Sequence, residues 1–200
     1  MSDDPHRTRV LVSHHLEHSK RLHEQGDFSI TSGSYNGTPL AVASTGLGKE
    51  NVLTHLSELI KLGASKVVYI STCISTTVRH DIRSVILAAG GSKELIDLAL
   101  AAAGRIDATE QLTIATVLHP DGTHLDGVHL DGVHSGDGGI VDEASDELYK
   151  LAQEKEIEAL SILTVSENTI TGEKMEKNEV ISRLYPASRL VFEMFALPGC

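Results

Sequence analysis

"GSYNGTPLAVASTGLGKENVLTHLSELIKLGASKVVYISTC", residues 33–73, decides the fold. Asn36-Gly37 sits between two β-forming runs and is a two-residue hairpin signal, because a type I′ turn needs positive φ at both central positions. The hairpin covers 28–44, and its second arm, 39–44, reads as a strand. After Thr45-Gly46-Leu47-Gly48, the residues Val52, Leu53, Leu56, Leu59 and Ile60 fall on one helical face, and Gly63 suits the left-handed position that ends a helix. "KVVYIS", 66–71, is apolar and β-branched without alternation, as in a strand buried on both faces. A hairpin, a crossover helix and a buried strand in that order place the chain in the α/β class.

Working outward, "TRVLVS", 8–13, reads as another central strand. Downstream, "RSVILAA", "QLTIATVL" and "ALSILTV" (159–165) read as strands, with helices over "SKELIDLALAAAG" and "EASDELYKLAQEKE". A final helix is expected to be interrupted or restarted at Pro186. Nothing reads as a linker, so a single domain over 1–200 is expected.

Composition narrows the function classes. A formal charge of −11 opposes binding to a polyanionic backbone, and no basic stripe offsets it. No apolar run approaches the roughly 20 residues of a membrane span, and the polar start "MSDDPHRTR" is not a signal peptide. The only cysteines are Cys73 and Cys200, which favours a reducing compartment, and a cytoplasmic location is the expectation. Neither a nucleic-acid nor a membrane partner is expected.

In α/β sheets ligands sit beyond the carboxyl ends of the strands, which directs attention to "STGLGKEN", "STCIS", the region after Leu118, and "SENTITGE". Gly46 and Gly48 enter a helix and let backbone N–H groups approach an anion or a sugar; the alternative is a plain tight turn.

Taken in order, these segments resemble the nucleoside phosphorylase and nucleosidase family, especially the bacterial purine nucleoside phosphorylases. The stretch 33–73 resembles its hairpin, its S-T-G-x-G turn, the following helix and the strand ending in G-[ST]-C-G, and "EIEALSILTVSENTITGE" resembles its late strand ending in V-S-D. The resemblance covers about 8–90 and 140–195. It implies a twisted, largely closed central β-sheet flanked by helices, a homo-oligomer, a small-molecule nucleoside as substrate, and cleavage of its N-glycosidic bond. No cofactor is implied; phosphate or water is the acceptor.

The departures bear on the site. The family holds phosphate with a glycine and an arginine in its first loop, and a second arginine two residues before G-[ST]-C-G. Matched without gaps, the first loop becomes "SHHLEH", with His14 and His18 at those two positions. The second arginine becomes Tyr69, both motif glycines become Ser71 and Ile74, and only the hydroxyl of Thr72 is kept. Lys20, Arg79 and Arg83 are the cations available to compensate. Thr45, Gly46, Gly48 and Thr72 are the expected substrate-binding positions. The family's ribose-binding glutamate falls on Ala144; Glu143, one residue away, is a candidate for that role, against a solvated first-turn carboxylate that suits the helix dipole. Glu167 stands where the family has the aspartate that protonates the leaving purine, and it is the expected catalytic acid, against a loop carboxylate accepting backbone N–H bonds. Cys73 reads as packing rather than as a nucleophile.

"HPDGTHLDGVHLDGVHSGDGG", 119–139, repeats histidine every five residues. Its spacing matches no standard zinc site and its glycines favour turns, so a surface loop without a native metal is expected. Three function classes stay open: a nucleoside-cleaving enzyme, a catalytically impaired nucleoside-binding or structural homologue, and a metal-binding protein using the repeat.

Overall fold

A computed structural model describes residues 1–106, 112–118, 139–176, 179 and 185–198. Nearly all of the histidine repeat therefore lies outside the described residues, and the expectation for it with it.

Helices are α1 (Pro5–His15), α2 (Lys49–Lys61), α3 (Lys93–Arg105), α4 (Ser145–Glu154) and α5 (Tyr185–Phe195). Strands are β1 (Glu17–Gln25), β2 (Phe28–Tyr35), β3 (Thr38–Ser44), β4 (Lys66–Ser75), β5 (Val85–Ala88), β6 (Leu112–Ala115), β7 (Val117–Leu118), β8 (Ile140–Val141) and β9 (Glu158–Asn168). None of the described helices is long and apolar enough to cross a membrane.

β1, β2 and β3 form an antiparallel meander, in order. Asn36 and Gly37 both take positive φ (49° and 80°), so the turn between β2 and β3 is the one the sequence indicates. The second sheet has the order β6-β5-β9-β4-β8-β7. β4 and β9 run parallel over almost their whole length, from Lys66 opposite Glu158 to Ser75 opposite Asn168. β6 and β7 are the two ends of this order, yet only Thr116 separates them in the chain. The sheet therefore curls until its edges nearly meet, the largely closed, helix-flanked sheet expected above.

The core lies on both sides of that sheet. Leu87, Leu160 and Ile162 face α3 and α5 through Leu95, Ala99, Leu190 and Met194. Ile86, Leu163 and Val165 belong to the other cluster, with Val52 and Leu56 of α2 and Leu148 of α4. Adjacent residues pointing to opposite apolar faces explain why these strands show no alternation of polarity.

Residues 8–13 depart from expectation: they are helix, not strand. Asp4 is the N-cap, its Oδ1 accepting from the backbone N–H of His6 at 2.7 Å and of Arg7 at 3.3 Å, and Pro5 occupies the first turn. Both features start helices. Thr8 and Leu11 are buried, while Val10 and Val12 are only partly so. The Val-Leu-Val run mimics a buried strand, but the cap decides. β1 is exposed along its length and so carries no apolar pattern that would reveal it.

Candidate functional site

Ser2 makes isolated parallel bridges to Ser44, at the end of β3, and to Ile70 of β4. β3 and β4 therefore point the same way, and the turn after β3 lies at the carboxyl end of the larger sheet. In that turn Gly46 and Gly48 have φ of 77° and 95°, and Gly48 is the N-cap of α2. A side chain at Gly46 would be strained by its φ and would also press on Asp27 and Asn51. Asn51 Nδ2 braces the turn by donating to the Leu47 carbonyl at 2.8 Å. Thr45 is buried, its N–H donating to the Ser2 carbonyl at 2.9 Å.

The segment after Ser2 brings charge to the middle of β4. Ser71 Oγ donates to Asp3 Oδ2 at 2.8 Å, and Arg7 Nη1 donates to Asp3 Oδ1 at 3.1 Å. Arg7 Nε lies 3.4 Å from Asp4 Oδ2, and the Arg7 side chain is 10% exposed. Burial pushes the carboxyls of Asp3 and Asp142 up, against the opposing pull of Arg7 and Ser71 on Asp3 and of the Ser145 contacts on Asp142. Burial also holds the Tyr69 phenol well above its usual range, and the charges of Asp3 and Asp142 add to this. Asp3, Arg7, Tyr69, Ser71 and Asp142 thus form one electrostatic cluster.

This corrects the gap-free match of the first loop. His14 is exposed in the last turn of α1 and His18 is exposed on β1. Arg7 is a cation that reaches this part of β4 through Asp3, and it arrives already paired with carboxylates. Of the other cations, Arg83 Nε is bound to Glu179 Oε1 at 2.6 Å, and Lys20 is exposed on the outer strand of the meander.

Thr72 is half-buried on β4, opposite Thr164 of β9. Cys73 beside it is a buried free thiol pushed well above its usual pKa by burial, which suits packing. Glu167 lies opposite Ile74, past an irregularity in the β4–β9 ladder. Its side chain is 33% exposed and its Oε2 is 2.6 Å from Lys174 Nζ. The strand end is therefore less desolvated than its buried approach suggests. Glu143 is exposed before α4, whereas Asp142 Oδ2 accepts from the backbone N–H of Ser145 at 2.7 Å and of Ala144 at 3.2 Å. Asp142, not Glu143, is the carboxylate turned toward the cluster.

Asn168 ties the strand ends together. It is fully buried, its Nδ2 donates to the carbonyls of Thr77 and His80, both at 2.9 Å, and its Oδ1 accepts from the backbone N–H of Ile170 and Thr171. The loops that follow β4 and β9 are thereby fixed to each other. Asp3, Arg7, Asp142 and Asn168 escape a reading by motif, although Asp4-Pro5, a cap residue followed by a first-turn proline, marks the entry of α1. Among the described residues, no three His, Cys, Asp or Glu are grouped to hold a metal ion.

Comparison with protein-family models found none that matches. Among characterised proteins, the chain is 28% identical to a DeoD-type purine nucleoside phosphorylase of Alkaliphilus metalliredigens, over 88% of this chain and 84% of that protein. It is 27% identical to the corresponding protein of Oceanobacillus iheyensis over the same shares. Among solved structures, purine nucleoside phosphorylase from Toxoplasma gondii, in complex with immucillin-H, superimposes with a TM-score of 0.81 at 15% identity, over 98% of this chain and 88% of that one. The chain is a divergent relative of the purine nucleoside phosphorylases.

Proposed function

We propose that this protein cleaves the N-glycosidic bond of a purine-type nucleoside, with water favoured over phosphate as the acceptor. The observation that carries the reading is the likeness, along nearly the whole chain, to purine nucleoside phosphorylases. In this reading Glu167, once it has left Lys174 and taken up a proton, gives that proton to the base nitrogen as the C1′–N bond breaks, and the water that adds to C1′ releases the proton that restores the acid. Thr72 and the Thr45–Gly48 turn, with its Gly46 and Gly48 amides, hold the ribose or the acceptor, and Glu143 reaches a ribose hydroxyl by a shift at the start of α4. The preference for water is supported by Arg7: its guanidinium is engaged by Asp3, so an incoming dianion meets a carboxylate where it needs a free cation. No cofactor takes part. The chain acts as a single domain in a cytoplasmic homo-oligomer.

A second reading, a homologue that binds nucleosides without cleaving them, is favoured by Ala144 at the position where the resemblance expects a ribose-binding glutamate. Base release from inosine, adenosine and methylthioadenosine, with and without millimolar phosphate, separates the two. Cleavage that phosphate barely alters supports the first. Nucleoside-dependent thermal stabilisation without cleavage supports the second, and strong saturable stimulation by phosphate overturns the choice of acceptor.

A further inference from the structure

β9 holds one residue more than the strand it runs beside. From Lys66 opposite Glu158 to Cys73 opposite Val165 the ladder is regular, but Ile74 then stands opposite Glu167 and Ser75 opposite Asn168. Ser166 is the extra residue, a bulge. Its hydroxyl donates to the Cys73 carbonyl at 3.2 Å, and its own carbonyl accepts from the Met175 N–H at 2.8 Å.

Side chains alternate along a strand, so one extra residue exchanges the faces of those that follow it. Val68 and Ile70 of β4 pack with Leu160 and Ile162 of β9 on one face, and Tyr69 and Cys73 with Leu163 and Val165 on the other. Thr72 belongs to the first face by this alternation. In an unbroken ladder Ser166 would meet Ile74, and Glu167 would meet Ser75 on the second face. With the bulge, Glu167 meets Ile74 and shares the face of Thr72, while Asn168 takes the place opposite Ser75. The extra residue thus decides on which side of the sheet the carboxylate stands.

Asn168 fits the bulged register. It is fully buried, and its side-chain amide donates to the carbonyls of Thr77 and His80 and accepts from the N–H groups of Ile170 and Thr171. Its main chain is engaged as well: its N–H donates to the Glu173 carbonyl and its carbonyl accepts from the Gly172 N–H, both at 2.9 Å. In an unbroken ladder the same amide would face the other side of the sheet, and the carbonyls of Thr77 and His80 would lose this donor in a buried place. We infer that Asn168 is a positioning residue for the proposed reaction: it locks the bulged register and so keeps Glu167 on the face of Thr72, where one substrate can meet both. The inference rests on the reading of Glu167 as the acid.

Its test reads the register separately from catalysis. In a chain with Cys73→Ala and Cys200→Ser, one version carries Ile74→Cys with Glu167→Cys and another Ser75→Cys with Glu167→Cys. The first pair is expected to close a disulfide on mild oxidation and the second is not, because its side chains point to opposite faces. Adding Asn168→Ala lowers the yield of the first pair severalfold, and Asn168→Gln, which keeps the amide one methylene away, lowers it less. Amide exchange at Ile86 and Leu87 of β5, which pairs with β9 before the bulge, reports that each variant is folded. Deleting Ser166 gives a ladder with no bulge to lock, in which Glu167 meets Ile74 directly; there Asn168→Ala leaves the yield unchanged. In the chain with its native cysteines, Asn168→Ala lowers kcat for base release from inosine by about tenfold to a hundredfold with little change in KM, and has no effect on the residual turnover of Glu167→Gln. An unchanged disulfide yield in Asn168→Ala, or an equal loss in the chain lacking Ser166, overturns the inference. Absence of base release from the unaltered chain overturns the proposed function instead, and the disulfide yields still decide the role of Asn168.

Discussion

The Ser71 hydroxyl donates a 2.8 Å hydrogen bond to Asp3 Oδ2, so the carboxylate of the first loop is locked onto the middle of β4. The other oxygen of the same carboxylate holds Arg7. An internal anion thus occupies the donors that an external one would use.

Asp3→Asn is therefore expected to strengthen binding of inorganic phosphate. A charge-assisted contact of the kind released to the ligand is worth about 1.5–3 kcal/mol, or roughly tenfold to a hundredfold in affinity. Titration calorimetry with phosphate measures this, and Arg7→Ala in the Asp3→Asn background should cancel the gain. Unchanged affinity in Asp3→Asn would mean that Arg7 does not face the acceptor.

For the chemical step the decisive variant is Glu167→Gln. The amide keeps the shape but has no acidic proton to give, so base release should fall by about 10²–10⁴, the usual worth of a positioned general acid. Nucleoside affinity, followed by thermal shift or calorimetry, should change little. Full activity in this variant removes Glu167 from the mechanism.

Asn168→Asp tests the clamp between the loops after β4 and β9. The substitution keeps the acceptor for Ile170 and Thr171 but turns a carboxylate oxygen toward the carbonyls of Thr77 and His80 in a fully buried place. Losing two buried donors and adding a charge should cost about 3 kcal/mol or more. At this chain length that lowers Tm by roughly 6–12 °C. A shift within experimental error would mean the loops are held by other contacts.

The fold was legible wherever a pattern had one cause. Asn36-Gly37 needs left-handed backbone, and 66–71 and 159–165 are largely apolar, without alternation, because the sheet has core on both faces. Residues 8–13 misled because Val10, Leu11 and Val12 satisfy a strand pattern as well as a helix buried through Thr8 and Leu11, and the arbiter was a cap lying outside the run. In the site, strand ends and the glycine turn could be read because they follow from topology. The pairing of Asp3 with Ser71 and the inward turn of Asp142 could not, since both depend on where a short segment enters between distant strands. The apolar face of "RLVFEMFAL" looks like an interface in sequence, yet Leu190, Val191, Phe192 and Met194 are buried within the subunit, so the proposed oligomer needs another surface.

The buried amine of Met1 predicts a pH dependence of stability that can be isolated chemically. Its ordinary pKa of 8.0 is lowered to about 5 in the folded chain, because burial disfavours the charged form. Below pH 5 the amine is protonated in both states and the folded chain bears the full cost of the buried charge. Between pH 5 and 8 the unfolded state binds more protons, so this contribution makes stability rise with pH, and the rise is complete above 8. Three pH units at about 1.36 kcal/mol each give on the order of 4 kcal/mol, or on the order of 10 °C in Tm for a chain of this size. Burial lowers the pKa of His15 and His80 below 6.5 as well, which adds a rise confined to the region below that value. The measurement is therefore a difference: Tm of the chain with its α-amine acetylated minus Tm of the free-amine chain, followed from pH 5 to 9. Acetylation removes the titrating group and leaves the histidines untouched, so the difference should be largest near pH 5, shrink through pH 7 and become flat above 8. Parallel curves across this range would mean that the Met1 nitrogen reaches water, and that the 2.6 Å hydrogen bond it donates to the Val68 carbonyl does not hold it.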